Sequence, residues 1–196
     1  MGRPEYTQED HRGHERGDWM SKTFLQANYG TIDDGTENGI SMANSGCGPT
    51  ALADIIYNID PKITPRKVAK WLYNIGHFST GGTTRRGMTK AIAKYGMQCL
   101  YYTPEHTGNT YWNDAFQLIK ASRDASVWAV ALTVGKVNGG KDNFWTHGGH
   151  YIAITDYDPE TGKIYVRDPA GRTTGYQDPD KLKYDCNAFW LITRQG

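Results

Sequence analysis

The chain has 196 residues, with 22 Lys plus Arg against 21 Asp plus Glu and a formal net charge of +1 at pH 7. That length suits one domain with a sizeable core, and the balanced charge gives no footprint for a nucleic-acid or membrane-surface partner. Three cysteines are too few for a disulfide framework, and the longest apolar stretch, around 125–134, is far short of the roughly 20 residues a spanning helix needs.

In chain order, residues 1–22 mix Arg3, Arg12 and Arg16 with Glu5, Glu9, Asp10, Glu15 and Asp18. They lack the apolar core of a secretory signal and are expected to form a flexible arm ahead of one domain over 23–196. Without such a signal, three readings stay open: the cytoplasm, the exterior reached by a non-classical or phage-linked route, or a domain cut from a longer chain. Residues 23–46 are rich in Gly, Asn, Asp and Thr and read as a long loop. A first helix is expected over Pro49–Ile59, with Leu52, Ile55 and Ile56 on its apolar face, stopped by Asp60-Pro61. Thr64-Pro65 caps a second helix through Val68, Leu72 and Ile75. After a loop over 76–82 comes a third, Thr84–Tyr95, closed by Gly96. Met97–Tyr102 reads as a strand, Tyr111–Ser122 as a fourth helix, Ser126–Val134 as a central strand, and 135–149 as a glycine-rich loop. The β-rich runs from His150 to Thr155 and from Lys163 to Arg167 flank a turn over Asp156–Gly162, which predicts a hairpin. Asn187–Thr193 closes as a last strand. Helices first and strands later favour an α+β fold with a mostly antiparallel sheet.

The most informative stretch is Ser45-Gly46-Cys47-Gly48-Pro49-Thr50. Pro49 suits the first turn of a helix, where its missing N–H is not needed. Cys47 then stands at a helix N-terminus, whose unpaired N–H groups and partial positive charge favour a thiolate, the nucleophilic form. The flanking glycines let a substrate backbone approach. A buried, inert cysteine explains this pattern poorly.

A nucleophile needs a base. His150 follows Gly148-Gly149 at the mouth of the first hairpin strand, and Asp168 ends the second, so both fall at one end of the hairpin. An acid beside an imidazole fixes its tautomer and orientation, which makes Cys47, His150 and Asp168 a coherent nucleophile, base and orienter. His147 competes as the base from within the glycine-rich loop, and Asp168 before Pro169 also suits a plain turn residue. The His147/His150 pair with Cys47 lacks further ligands at zinc spacing, so no metal and no cofactor are expected. Cys99 and Cys186 are free to pair or to stay reduced. The 13 Tyr, 6 Trp and 5 Phe fit either plain core or a wide groove for a peptide or glycopeptide.

The order Cys, His, Asp, with the cysteine opening a helix, resembles the papain-like cysteine peptidases. More narrowly, Gly46-Cys47-Gly48-Pro49-Thr50, Gly148-Gly149-His150-Tyr151-Ile152 and Val166-Arg167-Asp168-Pro169 resemble the bacterial branch of double-glycine (bacteriocin leader) peptidases and related cell-wall hydrolases. The resemblance spans about residues 20–193. It implies N-terminal helices, the nucleophile helix packed on the sheet, and a glutamine that helps hold the oxyanion. No glutamine lies in the six residues before Cys47, but Phe24-Leu25-Gln26-Ala27-Asn28-Tyr29-Gly30 fits the looser pattern and makes Gln26 the candidate. The expected function is hydrolysis of a peptide or isopeptide bond through a thioester, with bacterial peptidoglycan as a substrate class. Acyl transfer to an amine on the same triad, and a catalytically silent binding module, are the alternatives.

Overall fold

The computed structural model describes residues 23–57, 59–103, 117, 127–134, 144–146, 148–183 and 185–194. The expected arm over 1–22, all but one position of the expected helix over Tyr111–Ser122, and most of the loop over 135–149, His147 included, lie outside them.

Residues 23–46 are more ordered than a long loop. A 3-10 turn spans Gln26–Tyr29, β1 (Thr31–Ile32) pairs antiparallel with β2 (Ile40–Ser41), and a short helix α1 spans Met42–Ser45. Ile32, Ile40 and Met42 are enclosed in the core, which anchors the segment at both ends. The polar crossing between the two strands is held by its own side chains: Asp33 Oδ1 accepts from Gly35 N–H at 2.9 Å, and Asp34 Oδ1 from Thr36 N–H at 3.0 Å.

The next helix, α2, spans Cys47–Ile56 and so begins two residues before the expected start at Pro49. Pro49 falls within its first turn, where no amide hydrogen is required. It ends before the expected Ile59, whose N–H bonds the Ile56 carbonyl three residues back, at 2.8 Å, in place of the four-residue α-helical spacing. Helix α3 (Pro65–Asn74) is capped by the Thr64 side chain, which accepts from Lys67 N–H. Helix α4 (Arg85–Lys94) is capped by Thr84, which accepts from Gly87 N–H at 3.0 Å. Between them, where a loop is expected, sits the miniature hairpin β3 (Phe78–Ser79) and β4 (Gly82–Thr83).

Among the described residues one six-stranded sheet follows, every neighbouring pair antiparallel. Its strands are β5 (Met97–Tyr102), β6 (Val127–Thr133), β7 (His150–Asp158), β8 (Lys163–Arg167), β9 (Gly175–Gln177) and β10 (Cys186–Arg194), ordered β5-β10-β6-β7-β8-β9. A short helix α5 spans Asp180–Lys183. The expected hairpin is the β7–β8 pair, with β7 running three residues beyond Thr155 and a register shift between Ile154 and Asp156. On one sheet face Val130, Tyr151, Ala153, Ala188 and Trp190 pack with the helices; on the other Ala131, Ile152, Ile154, Phe189 and Leu191 pack with Trp145 and Leu182. Covering both faces explains why β6 and β10 read as nearly unbroken apolar runs rather than alternating ones. The architecture is the expected α+β one.

The nucleophile helix sits tightly on the rest of the fold at Gly48. A β-carbon there would fall 2.6 Å from Thr83 Oγ1, 2.8 Å from Thr83 Cβ and 3.2 Å from the Tyr151 ring. Thr83 cannot yield easily, because its carbonyl is held by Tyr151 Oη at 3.1 Å. Gly48→Ala should therefore lower stability by about 1–3 kcal/mol, a usual cost of overpacking. Chemical denaturation measures that loss, and a Gly48→Ala protein as stable as the parent would contradict the close approach.

Candidate active site

Cys47 is the first residue of α2 and partly exposed, with Ser45 Oγ just upstream donating to the Thr80 carbonyl at 2.8 Å and so tying this end of the helix to the β3–β4 hairpin. His150 opens β7, and Asp168 directly follows β8. The hairpin register sets Ala153 opposite Arg167, so the start of β7 and the end of β8 lie at one sheet end. There His150 Nε2 and Asp168 Oδ1 are 2.7 Å apart, both residues buried. His150 also shares a hydrogen bond and an electrostatic interaction with Cys47. With Asp168 on Nε2, the ring nitrogen left for the sulfur is Nδ1.

Asp168 is held on every side. Its Oδ1 accepts from Ala170 N–H at 2.8 Å; its Oδ2 accepts from Arg172 N–H at 3.1 Å, Thr173 N–H at 3.0 Å and Thr173 Oγ1 at 2.9 Å. Burial alone would raise the carboxyl. The His150 hydrogen bond and charge, with the Ala170 N–H and Thr173 hydroxyl, overcome it and hold Asp168 at about 2. The imidazole shows the mirror case. Burial pulls His150 down, but the hydrogen bonds to Asp168 and Cys47 and the charges of both carry it up to about 9. The imidazolium is thus the resting form of the ring at neutral pH.

Gln26 is buried at the start of the 3-10 turn. Its backbone N–H donates to the Pro169 carbonyl at 3.0 Å, one residue beyond Asp168, and its side-chain Nε2 donates to the Ala43 carbonyl on the short helix leading to Cys47. Its Oε1 has no hydrogen-bond partner among the described residues. Turning the amide over would set an acceptor against the Ala43 carbonyl, so the orientation is fixed by chemistry. One of its two N–H hydrogens is left uncommitted.

Two functional supports escape a reading of the sequence. Asp54 and Arg167 are fully buried, with Arg167 Nη1 3.7 Å from Asp54 Oδ1 and donating to the Asp54 carbonyl at 3.3 Å. Asp54 Oδ1 also accepts from Phe24 N–H at 2.9 Å. Burial raises the Asp54 carboxyl more than the Phe24 N–H and the Arg167 charge lower it, so it ends up at about 7. The pair joins the segment bearing Gln26, the helix bearing Cys47 and the strand leading into Asp168. An aspartate within Ala51-Leu52-Ala53-Asp54-Ile55-Ile56 was the available signal. The three cysteines are free thiols, so Cys99 and Cys186 do not pair, and Cys186 Sγ lies 3.2 Å from the Ala188 carbonyl.

A cysteine opening a helix, packed on an antiparallel sheet whose end carries a His–Asp pair, defines a papain-like cysteine peptidase fold. The model of the Peptidase_C39-like family matches residues 22–196, and the chain belongs to that family of cysteine-type peptidases. Among solved structures it is similar to the peptidase domain of Streptococcus ComA, a bifunctional ABC transporter involved in quorum sensing, at 15% identity and TM-score 0.51, covering 76% of this chain and 92% of that one. It is also similar to a double-glycine-motif protease from an AMS/PCAT transporter in complex with its leader peptide, at 14% identity and TM-score 0.47, over 87% and 95% of the two chains. The Pseudomonas avirulence protein AvrPphB matches at 11% identity and TM-score 0.41, over 76% and 92%. No curated protein sequence matches the chain.

The Asp54–Arg167 pair generates a stability prediction. Arg167→Ala leaves the buried Asp54 without its cation and raises its carboxyl further, so the loss in urea denaturation should grow as pH rises past about 7, toward about 3–5 kcal/mol where the acid is ionised. Asp54→Leu combined with Arg167→Met should cost less than the sum of the single changes, because no buried charge is left unpaired. Additive losses would show that the two side chains do not act as a pair.

Proposed function

We propose that the chain hydrolyses a peptide or isopeptide bond with Cys47 as nucleophile, His150 as acid and base, Asp168 as the group orienting His150, and Gln26 as an oxyanion donor. The observation that carries this reading is the imidazole of His150, bonded to a buried carboxylate on one side and to the sulfur at a helix tip on the other.

The Cys47 thiolate attacks the carbonyl carbon, and the carbonyl oxygen gains the negative charge. As the C–N bond breaks, the His150 Nδ1 proton passes to the departing amine, leaving a thioester and a neutral ring. Water then attacks the thioester carbon and gives its proton to His150. The C–S bond breaks, the sulfur leaves as thiolate, and the acid is released. In this reading, donors at the helix start and the spare Gln26 N–H bind the charge that develops on oxygen; one such donor typically contributes ~10²–10³ in rate. Asp168 keeps Nδ1 toward the sulfur and stabilises the charged ring. Bacterial wall peptides are the substrate class this reading names first.

Cys47→Ala should abolish turnover of a peptide library read by mass spectrometry while the circular dichroism spectrum is kept; cleavage surviving that change would refute the mechanism. The acid role of His150 sets an upper pH limit. The ring holds its proton up to about 9, so kcat/KM should fall with a midpoint near that value as the proton for the leaving amine is lost. Asp168→Asn removes both the carboxylate hydrogen bond and its charge and should move that limb to lower pH. A limb that stays in place would take Asp168 out of the site.

A further inference from the structure

Resting on the peptidase reading, we propose that the cationic face of α4 is a substrate subsite for a peptide carboxylate about three residues from the scissile bond.

Arg85, Arg86, Thr89, Lys90 and Tyr101 line a cavity of about 500 Å³. Arg86 and Lys90 stand four residues apart on the helix, where like charges repel. Arg85 and Arg86 occupy its first turn, which holds no acid, at the end where the helix dipole disfavours cations. Arg85 donates to Asn187 Oδ1, a neutral acceptor. The ion pairs among the described residues are His150–Asp168 and Arg167–Asp54, so none of these three cations is matched by an acid there. The same field reaches His77, whose imidazole is held down by desolvation and then by the charges of Lys90 and Arg86. Three cations thus crowd a cavity against local electrostatic preference. An anion in the cavity relieves both the mutual repulsion and the conflict with the dipole.

Position identifies the occupant. Thr133 of β6 pairs with His150 on one side and with Cys186 on the other. Asn187, the acceptor of Arg85, follows Cys186 at a register irregularity, so it lies two strands from His150 at the same end of the sheet. Two strand spacings are about 10 Å, the span of about three extended residues. Beneath the surface the two places are joined by an aromatic layer, Tyr151 and Trp190 buried in it and Tyr101 exposed at its far end. Tyr151 interacts electrostatically with Cys47, Arg85 and Tyr101; its ring packs 5.8 Å from Trp190, which lies 4.9 Å from Tyr101 and donates to Thr89 Oγ1 at 2.9 Å. A peptide whose reacting carbonyl lies at Cys47 can run over the end of the sheet above this layer and deliver a carboxylate to the cations. Charge-assisted hydrogen bonds to guanidinium and ammonium groups then hold it.

The test uses paired peptide libraries differing only by Glu or Gln at one fixed position, scanned along the peptide, with cleavage read by mass spectrometry. The full chain should prefer Glu over Gln by ~10-fold or more in kcat/KM at one position about three residues from the cut, and added salt should shrink that preference. In Arg86→Gln/Lys90→Gln, both exposed positions, the ratio should fall toward one through KM. Peptides with a free or amidated C-terminus separate a terminal carboxylate from a side-chain one. Equal cleavage of the Glu and Gln peptides by the full chain, or a preference that survives the double substitution, overturns the subsite while the peptidase reading stands. No cleavage of any library peptide overturns the peptidase reading, and the subsite falls with it.

Discussion

A buried ion pair holds the two halves of this fold in register. Asp54 lies two turns into the helix that Cys47 opens, and Arg167 immediately precedes Asp168. Both are removed from water, so neither can relax into solvent if the halves separate. Burying two charges is weak as a source of net stability, because desolvation offsets most of the attraction. Its value here is geometric. Apolar packing tolerates a slip of the helix along the sheet, whereas a charge left without its partner in a dry interior does not. The Phe24 N–H on the same carboxylate brings a third segment into the same constraint, and Gln26 stands two residues farther on.

The electrostatics at the sheet end follow from this arrangement. Asp168 sits in a turn whose N–H groups converge on it, so its charge is fixed in place before any substrate arrives. A carboxylate so fully bonded cannot rotate away from His150, and His150 is raised because it faces a charge that stays ionised to about 2. The downward pull of burial on the imidazole is the larger single influence, yet several bonds and charges acting together outweigh it. An imidazole in that position is a proton donor by default, which suits the departure of an amine.

What was legible in the sequence is what local chemistry dictates. Glycines and a proline around Cys47 announce a helix start, and the cap at Thr64 announces another. The meeting of His150 and Asp168 was readable because they lie only 18 positions apart across one hairpin. The Asp54–Arg167 contact joins residues 113 apart, and no periodicity connects them. Strands of two residues such as β1 to β4 are shorter than any alternation that could reveal them. The three-residue β9 and the four-residue α5 fail for the same reason. Gln26 stood out by its aromatic-x-Gln setting, but its tie to the Ala43 carbonyl depends on an ordering of 23–46 that Gly, Asn and Asp do not suggest.

The molecule treats its charges in two opposite ways. At the sheet end and beneath it, His150 with Asp168 and Arg167 with Asp54 are buried, paired and bonded, so position is fixed at the expense of adaptability. On α4 Arg86 and Lys90 are exposed and Arg85 half-buried, and all three are unmatched by acids among the described residues, in conflict with the helix that bears them. Local rules of this kind are broken where a site needs a property that folding alone does not supply. A reaction needs groups whose geometry is set before the substrate binds, whereas recognition of a charged chain needs groups whose charge is still unanswered. Both arrangements sit on the same short stretch of fold: Gly48 meets Thr83, Thr84 caps α4, and Arg85 follows. A shift of β4 that moved the cations would press on the residue next to Cys47 and pull on the Ser45–Thr80 bond, so the proposed subsite and the proposed nucleophile are mechanically joined.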